Sequence, residues 1–132
     1  MRRSIARVIT VLAVLVGLAV ACGDDGDASG DIEATASDFQ FDPDTWSVTA
    51  GEEFTIDFTN DGSVEHEWAV LTEPIESEDD FAEDIVLLEV EAIPAGESTT
   101  EAFTIDEAGT YQVICAIETH FDAGMEGELT VE

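Results

Sequence analysis

Lysine and arginine are almost absent from this chain. Of its 132 residues only 3 are Lys or Arg, against 32 Asp or Glu, and the formal net charge is −29 at pH 7. All three basic residues lie within the first seven positions. The rest of the chain, which carries every carboxylate side chain, therefore contains no Lys or Arg that could pair with one. Because binding to phosphate groups requires a basic surface, we expect no nucleic-acid partner.

The one-sided charge predicts a dependence on salt. Like charges repel one another at low ionic strength, and added salt screens that repulsion. The pattern is typical of proteins that work in strong brine, and we interpret the chain as halophilic. An acidic surface that serves solubility or a basic partner is the alternative. The acids alternate with Val, Ile, Phe and Leu, so we do not expect a disordered chain.

The N-terminus, the only basic part of the chain, resembles a secretory signal. Arg2, Arg3 and Arg7 precede an apolar run over residues 8–21, which is short for a membrane span of about 20 residues. We therefore expect residues 1–21 to be a signal peptide. Cys22 follows "LAVA" (18–21) as in a lipoprotein processing box, so we expect it to be lipidated.

The residues after Cys22 have the composition of a flexible tether. Residues 23–30, "GDDGDASG", are Gly, Asp, Ala and Ser only. We expect the segment 22–30 to hold a domain of residues 31–132 outside the cytoplasm, at the outer face of the cell membrane. If Cys22 is not lipidated, cleavage after Ala21 would release a secreted protein.

Alternating apolar residues from residue 31 onward predict an all-β fold. In "EFTIDFT" (53–59), Phe54, Ile56 and Phe58 share one face, and turn signals such as "NDGS" (60–63) separate similar segments. Seven to eight short strands in about 100 residues indicate an antiparallel β-sandwich or barrel. The segment 73–85 lacks alternation and is predicted to be a loop, with one helical turn near 79–83.

Residues with soft metal-ligating atoms are also scarce, yet the few that are present make up the ligand set of one known type of metal site. After export processing the domain has one cysteine, Cys115, one methionine, Met125, and two histidines, His66 and His120. Cys115, His120 and Met125 are five residues apart in each step, which neither a helix nor a strand aligns but a loop around one atom can. Two histidines and one cysteine with a weak axial methionine are the blue-copper arrangement, so we predict one copper ion.

Other interpretations explain fewer of these residues. A lone Cys115 or Met125 is usually a packed core residue. Structural zinc sites use several thiolates, and methionine is a poor zinc ligand. A Cys–His nucleophile pair would leave His66 and Met125 without a role and has no oxyanion motif beside it, so we do not expect an enzyme. A disulfide between Cys22 and Cys115 would remove both the metal site and the nucleophile.

Residues 31–132 resemble the cupredoxins, which are blue copper proteins similar to plastocyanin, azurin and auracyanin. "DFQFDPDTWSVTAGEEFTIDFTNDGSVEHEWAV" (38–70) is similar to their N-terminal half, with an Asn-x-Gly turn before the first histidine ligand. "PAGESTTEAFTIDEAGTYQVICAIETHFDAGMEGELTV" (94–131) is similar to the C-terminal half, with Cys-x4-His-x4-Met. The resemblance implies a Greek-key fold and carries the copper ligands onto His66, Cys115, His120 and Met125.

Three residues, at two places in the chain, depart from the family pattern. Glu118 and Thr119 stand where Pro-Gly often precedes the second histidine, and Glu67 stands where Asn often follows the first. The resemblance also implies that the backbone of Glu67 donates a hydrogen bond to the cysteine sulfur. Acids near copper favour Cu(II) and are expected to lower the reduction potential.

The resemblance implies a one-electron carrier that shuttles between a redox protein donor and acceptor, and we expect a monomer. His120 is the expected electron port, within an apolar docking rim of Phe121, Ile117, Ala123 and Ala116. The alternative function is copper storage or delivery in the cell envelope, which usually requires spare methionines or histidines. A third possibility is a structural β-sandwich whose only function is to bind another molecule, and such a protein is expected to hold no metal.

Overall fold

The computed structural model describes residues 30–132, which form nine strands. They are β1 (Ile32–Ser37), β2 (Gln40–Asp42), β3 (Thr45–Val48), β4 (Glu53–Asn60), β5 (His66–Leu71), β6 (Val86–Ile93), β7 (Ser98–Thr104), β8 (Gly109–Ile114) and β9 (Glu126–Val131). The predicted all-β fold is confirmed. The additional strand is β2, whose three residues are too few for alternation to reveal. The predicted signal peptide, Cys22 and nearly all of the tether lie outside the described residues.

The strands form two sheets. One has the order β2-β1-β4-β7 and the other β3-β9-β8-β5-β6. Most neighbours are antiparallel, but β1 pairs with β4 and β3 with β9 in parallel. The antiparallel arrangement expected from the sequence therefore holds for most pairs of neighbouring strands. The chain changes sheets between β2 and β3, so β3 pairs in parallel with the final strand. Within residues 30–132 no helix is long and apolar enough to span a bilayer.

The main core lies between the two sheets and follows the predicted alternation. Phe54, Ile56 and Phe58 of β4 are at most 1% exposed, and they share one cluster with Trp68 and Val113 of the opposite sheet. Burial of each large apolar side chain contributes about 1.5–3 kcal/mol to the free energy of unfolding. This core fixes the two strands, β5 and β8, that carry the candidate site.

A second apolar cluster covers the outer face of β5 and β8. Leu71 and Ile114 pack there with Ile75 and Phe121, and all four side chains are buried. The segment 73–85 supplies part of this cover. It contains two 3-10 turns, Glu78–Asp80 and Glu83–Ile85, where the sequence predicted one turn. Because apolar side chains pack against both faces of β5 and β8, the strand ends that carry the site are held rigidly.

Candidate metal centre

Three of the predicted ligands converge because β5 begins where β8 ends. The two strands are antiparallel neighbours, with Ala69 opposite Ile114. His66 is the first residue of β5, and Cys115 directly follows β8. His120 returns to them from the following loop. The potential ligand atoms of these three buried residues all lie within 4.8 Å of one another.

The loop from Cys115 to Met125 folds back on itself. The backbone N–H of Cys115 donates to the carbonyl of Met125 at 3.3 Å, and that of Met125 to the carbonyl of His120 at 3.1 Å. Gly124 has a φ of +103°, a value that glycine adopts without strain. Met125 is fully buried. The spacing of five residues is therefore accommodated by a closed loop, as the sequence predicted.

The turn before His66 is organised by buried Asn60. Its side-chain carbonyl accepts from the backbone N–H of Gly62 at 2.9 Å, and its amide donates to the carbonyls of Val64 and Ile93. A Cβ at Gly62 would lie 2.6 Å from the Nε2 atom of His66. These contacts explain the Asn-x-Gly sequence: Asn60 makes the hydrogen bonds of the turn, and Gly62 leaves room for the imidazole of His66.

Asp38 sets the orientation of the His66 ring. Its Oδ1 accepts from Nε2–H of His66 at 3.2 Å and from the backbone N–H of Ser63 at 2.8 Å. The hydrogen bonds from Ser63, followed by that from His66, lower the pKa of Asp38 to about 2. Since Nε2 carries the proton, Nδ1 of His66 presents its lone pair to the site.

The Nδ1 atom of His66 is buried and has no hydrogen-bond partner. Among the described residues it shares this condition only with Nε1 of Trp68. An unpartnered buried acceptor is rare, because it loses its hydrogen bonds to water without replacement. A metal ion among the converging ligand atoms would satisfy this nitrogen, so the residues present fit a metal centre.

Burial controls the protonation of the other two potential ligands. It raises the pKa of Cys115 to about 11, and hydrogen bonds from the backbone of Glu67 and Ile117 oppose this only in part. Burial, followed by the nearby His66, lowers the pKa of His120 and so favours the neutral imidazole. A buried thiol with a raised pKa is a poor nucleophile, which argues against a Cys–His catalytic pair.

The sulfur of Cys115 has close neighbours on both sides. It lies 3.3 Å from Nδ1 of His120, and the backbone N–H of Glu67 donates to it at 3.5 Å, as the resemblance implied. The Glu67 carboxylate in turn accepts from the backbone N–H of Ala116 at 2.8 Å, and burial raises its pKa. The side chain and the backbone of Glu67 thereby tie β5 to the ligand loop.

The residues expected to form the docking rim differ in exposure. Phe121 is 9% exposed and belongs to the second cluster, whereas Ala123 is exposed and Ala116 and Ile117 are partly buried. His120 itself is only 7% exposed. The rim as predicted therefore contains one side chain that faces the interior.

Phe39, which the sequence did not single out, lies over the two histidines. Its ring is 41% exposed, and its edge-to-face contacts place its centroid 5.1 Å from that of His120 and 6.4 Å from that of His66. Its φ of +69° is unusual for a bulky residue. Such backbone strain is concentrated at functional sites, which supports a role for Phe39 at the surface of this centre.

Comparison with protein families identifies the fold family. The family model described as "Cupredoxin-like domain" matches residues 8–131, which is nearly the whole chain. The chain belongs to the cupredoxin family. The resemblance noted in the sequence is thereby confirmed, and a search of curated proteins found no match.

Solved structures agree with the cupredoxin assignment. Dithionite-reduced auracyanin from Roseiflexus castenholzii has a TM-score of 0.70 at 21% identity, covering 80% of this chain and 98% of that one. Auracyanin A from Chloroflexus aurantiacus, described as a "blue" copper protein, has a TM-score of 0.67 at 25% identity, covering 79% and 100%. Rusticyanin from Thiobacillus ferrooxidans has a TM-score of 0.64 at 18% identity, covering 77% of each chain.

Proposed function

We propose that this cupredoxin binds one copper ion through His66, Cys115, His120 and Met125 and acts as a one-electron carrier. The observation that carries the proposal is the unpartnered, buried Nδ1 of His66, within 4.8 Å of the potential ligand atoms of Cys115 and His120. Family membership and the similarity to a blue copper protein support copper as the metal. Two imidazoles, a thiolate and a thioether suit copper better than zinc.

Bound copper would supply a centre for one-electron transfer, and the surrounding residues hold the potential ligands in place. Asp38 orients His66, the N–H of Glu67 donates to the cysteine sulfur, and the closed loop holds Met125 close to Cys115. Because the supporting strands are buried on both faces, little protein structure has to rearrange on electron transfer.

We place the docking surface around Phe39. Phe39 and Val64 are two of the three exposed large apolar residues in the described part of the chain. They lie on two turns that the Asp38–Ser63 hydrogen bonds join beside the metal centre. His120 remains the expected port, beneath the ring of Phe39. In brine the Debye length is only about 3 Å at 1 M salt, so an apolar patch has to dock the redox partner.

The proposed setting is outside the cytoplasm, with the domain held to the membrane through lipidated Cys22. The sequence signals at residues 1–22 support this setting. Membrane fractionation with mass measurement of the N-terminal peptide tests it. A lipid on Cys22 is expected, whereas an unmodified mature protein in the medium would indicate plain secretion.

Copper storage or delivery is less consistent with the geometry. A delivery protein has to pass its metal to a partner, but His66, Cys115 and Met125 are fully buried and His120 is 7% exposed. Slow copper exchange with a chelator is expected of a carrier, and rapid exchange would favour delivery.

The test is to add Cu(II) to the purified protein and record its visible spectrum and voltammogram. An intense blue absorption and one reversible one-electron wave are expected. The variant Cys115→Ser should lose the blue colour, and Cys22→Ser should keep it. A colourless wild-type protein would contradict the proposed function.

A further inference from the structure

The stretch before His120 is strained, and it lacks both a proline that would stiffen it and a glycine that would adopt a positive φ without strain. Ile117, Glu118 and Thr119 include neither proline nor glycine. Thr119 has a φ of +76°, which a β-branched residue adopts only when its surroundings enforce it. Something outside this stretch must therefore hold the backbone beside His120.

Glu78 makes the contacts that can hold it. Its Oε2 accepts from the backbone N–H of Thr119 at 2.8 Å, and its Oε1 accepts from that of Asp122 at 3.4 Å. In return, the backbone N–H of Glu78 donates to Oδ1 of Asp122 at 3.3 Å. The two loop residues that form these hydrogen bonds, Thr119 and Asp122, lie on either side of His120 in the sequence.

Glu78 is itself held in position. It is the first residue of the 3-10 turn Glu78–Asp80, whose N-cap Ser77 accepts from the backbone N–H of Asp79 through its hydroxyl at 3.2 Å. A pocket of about 180 Å³, partly open to the surface, lies between the segment 73–85 and the ligand loop, beside Ile75, Phe81 and Phe121. Apolar contacts therefore do not fill the space next to Glu78, and the hydrogen bonds that its carboxylate accepts add to the contacts between the two segments.

We propose that Glu78 is a positioning residue that clamps the ligand loop and so fixes His120. The inference rests on the proposed function for the role of His120, but the clamp itself is a property of the protein without metal. Carboxylate hydrogen bonds to backbone N–H groups are charge-assisted and stronger than neutral ones. Residues 117–119 lack a stiffening residue of their own, and Glu78, from the segment 73–85, restrains their backbone instead.

The first test measures amide hydrogen exchange in the copper-free protein, using the whole chain. Glu78→Ala should speed exchange at Thr119 and Asp122 by about tenfold, the effect of losing one hydrogen bond to a charged group. Glu78→Gln keeps one acceptor oxygen, so only one of the two amides should lose its protection. Asp79→Asn is the matched control, because it removes one charge from the same turn without touching the loop, and it should leave both amides unchanged.

Unchanged exchange at both amides in Glu78→Ala, or an equal increase in Asp79→Asn, would overturn the clamp. If the wild-type protein does not turn blue with copper, the proposed function fails, while the exchange result still decides the clamp. In a blue protein, Glu78→Ala should also release copper to a chelator about tenfold faster than Asp79→Asn. Equal release by the two variants would overturn the role of the clamp in fixing His120.

Discussion

His66 and Asp38 are 28 positions apart in the sequence and joined by a contact of 3.2 Å between Nε2 and Oδ1. The contact assigns the proton of the imidazole to Nε2 and directs the unpartnered Nδ1 towards Cys115 and His120. An aspartate that the sequence did not mark thus determines how the first histidine faces the site.

We expect Asp38→Ala, which removes the acceptor oxygen, to weaken copper binding about tenfold, since partners that orient a metal-binding histidine typically contribute this much. Competition with a chelator measures the change, and Asp42→Ala on the neighbouring strand is the control. Equal copper affinity in the two variants would show that Asp38 does not orient His66.

The same aspartate predicts a pH dependence of stability in the copper-free protein. The pKa of Asp38 is lowered from 3.8 to about 2, so its stabilising contribution is complete above pH 4 and is lost as the pH falls through about 2. Thermal unfolding of the wild type and Asp38→Asn should therefore differ most above pH 4 and converge near pH 2. A difference that persists unchanged at pH 2 would contradict this linkage.

Copper binding should release about one proton per ion at pH 7. Burial raises the pKa of Cys115 to about 11, so the thiol is protonated in the copper-free protein and must lose its proton to bind. Titration in buffers of different ionisation enthalpy measures the release by calorimetry. Cys115→Ser is the control and should release less; equal release would exclude the thiol as the source.

Several parts of this structure were predictable from the sequence because they depend on local pattern or on scarcity. Alternation places Phe54, Ile56 and Phe58 in the core, and the convergence of Cys115 and His66 follows from strand ends that meet. The ligand candidates stood out because the domain contains so few soft ligands.

The remaining features depend on contacts between distant positions. Asp38 and Glu78 cannot be distinguished by composition among 32 acids, and their partners lie 28 and 41 positions away. Phe39 is absent from the alternation because it sits in a turn at positive φ. The burial of Phe121 follows from the cover that segment 73–85 provides, which periodicity does not reveal.

Gly62→Ala should destabilise both the fold and the metal centre. The added Cβ would lie 2.6 Å from Nε2 of His66 and equally close to Oδ1 of Asp38, so one of these groups must move. We expect a loss of about 1–3 kcal/mol in the free energy of unfolding, measured with urea. Gly109→Ala is the control, because its Cβ would meet nothing closer than 3.6 Å. Equal stability of the two variants would contradict the close packing at Gly62.

Phe39→Asp should slow electron self-exchange between oxidised and reduced copies at high salt by about tenfold, because a charge would be desolvated in the proposed docking patch. Line broadening in nuclear magnetic resonance spectra measures the rate. Leu87→Asp is the matched control, because Leu87 is equally exposed and lies near the end of β5 away from His66. If both variants exchange at the wild-type rate, docking does not use Phe39.

The most direct test of the central claim is a crystal structure of the protein loaded with copper. One ion is expected, bonded to Nδ1 of His66, Nδ1 of His120 and Sγ of Cys115, with the sulfur of Met125 as a weaker ligand. Copper bound elsewhere, or a metal centre that omits Cys115, would contradict the proposed site.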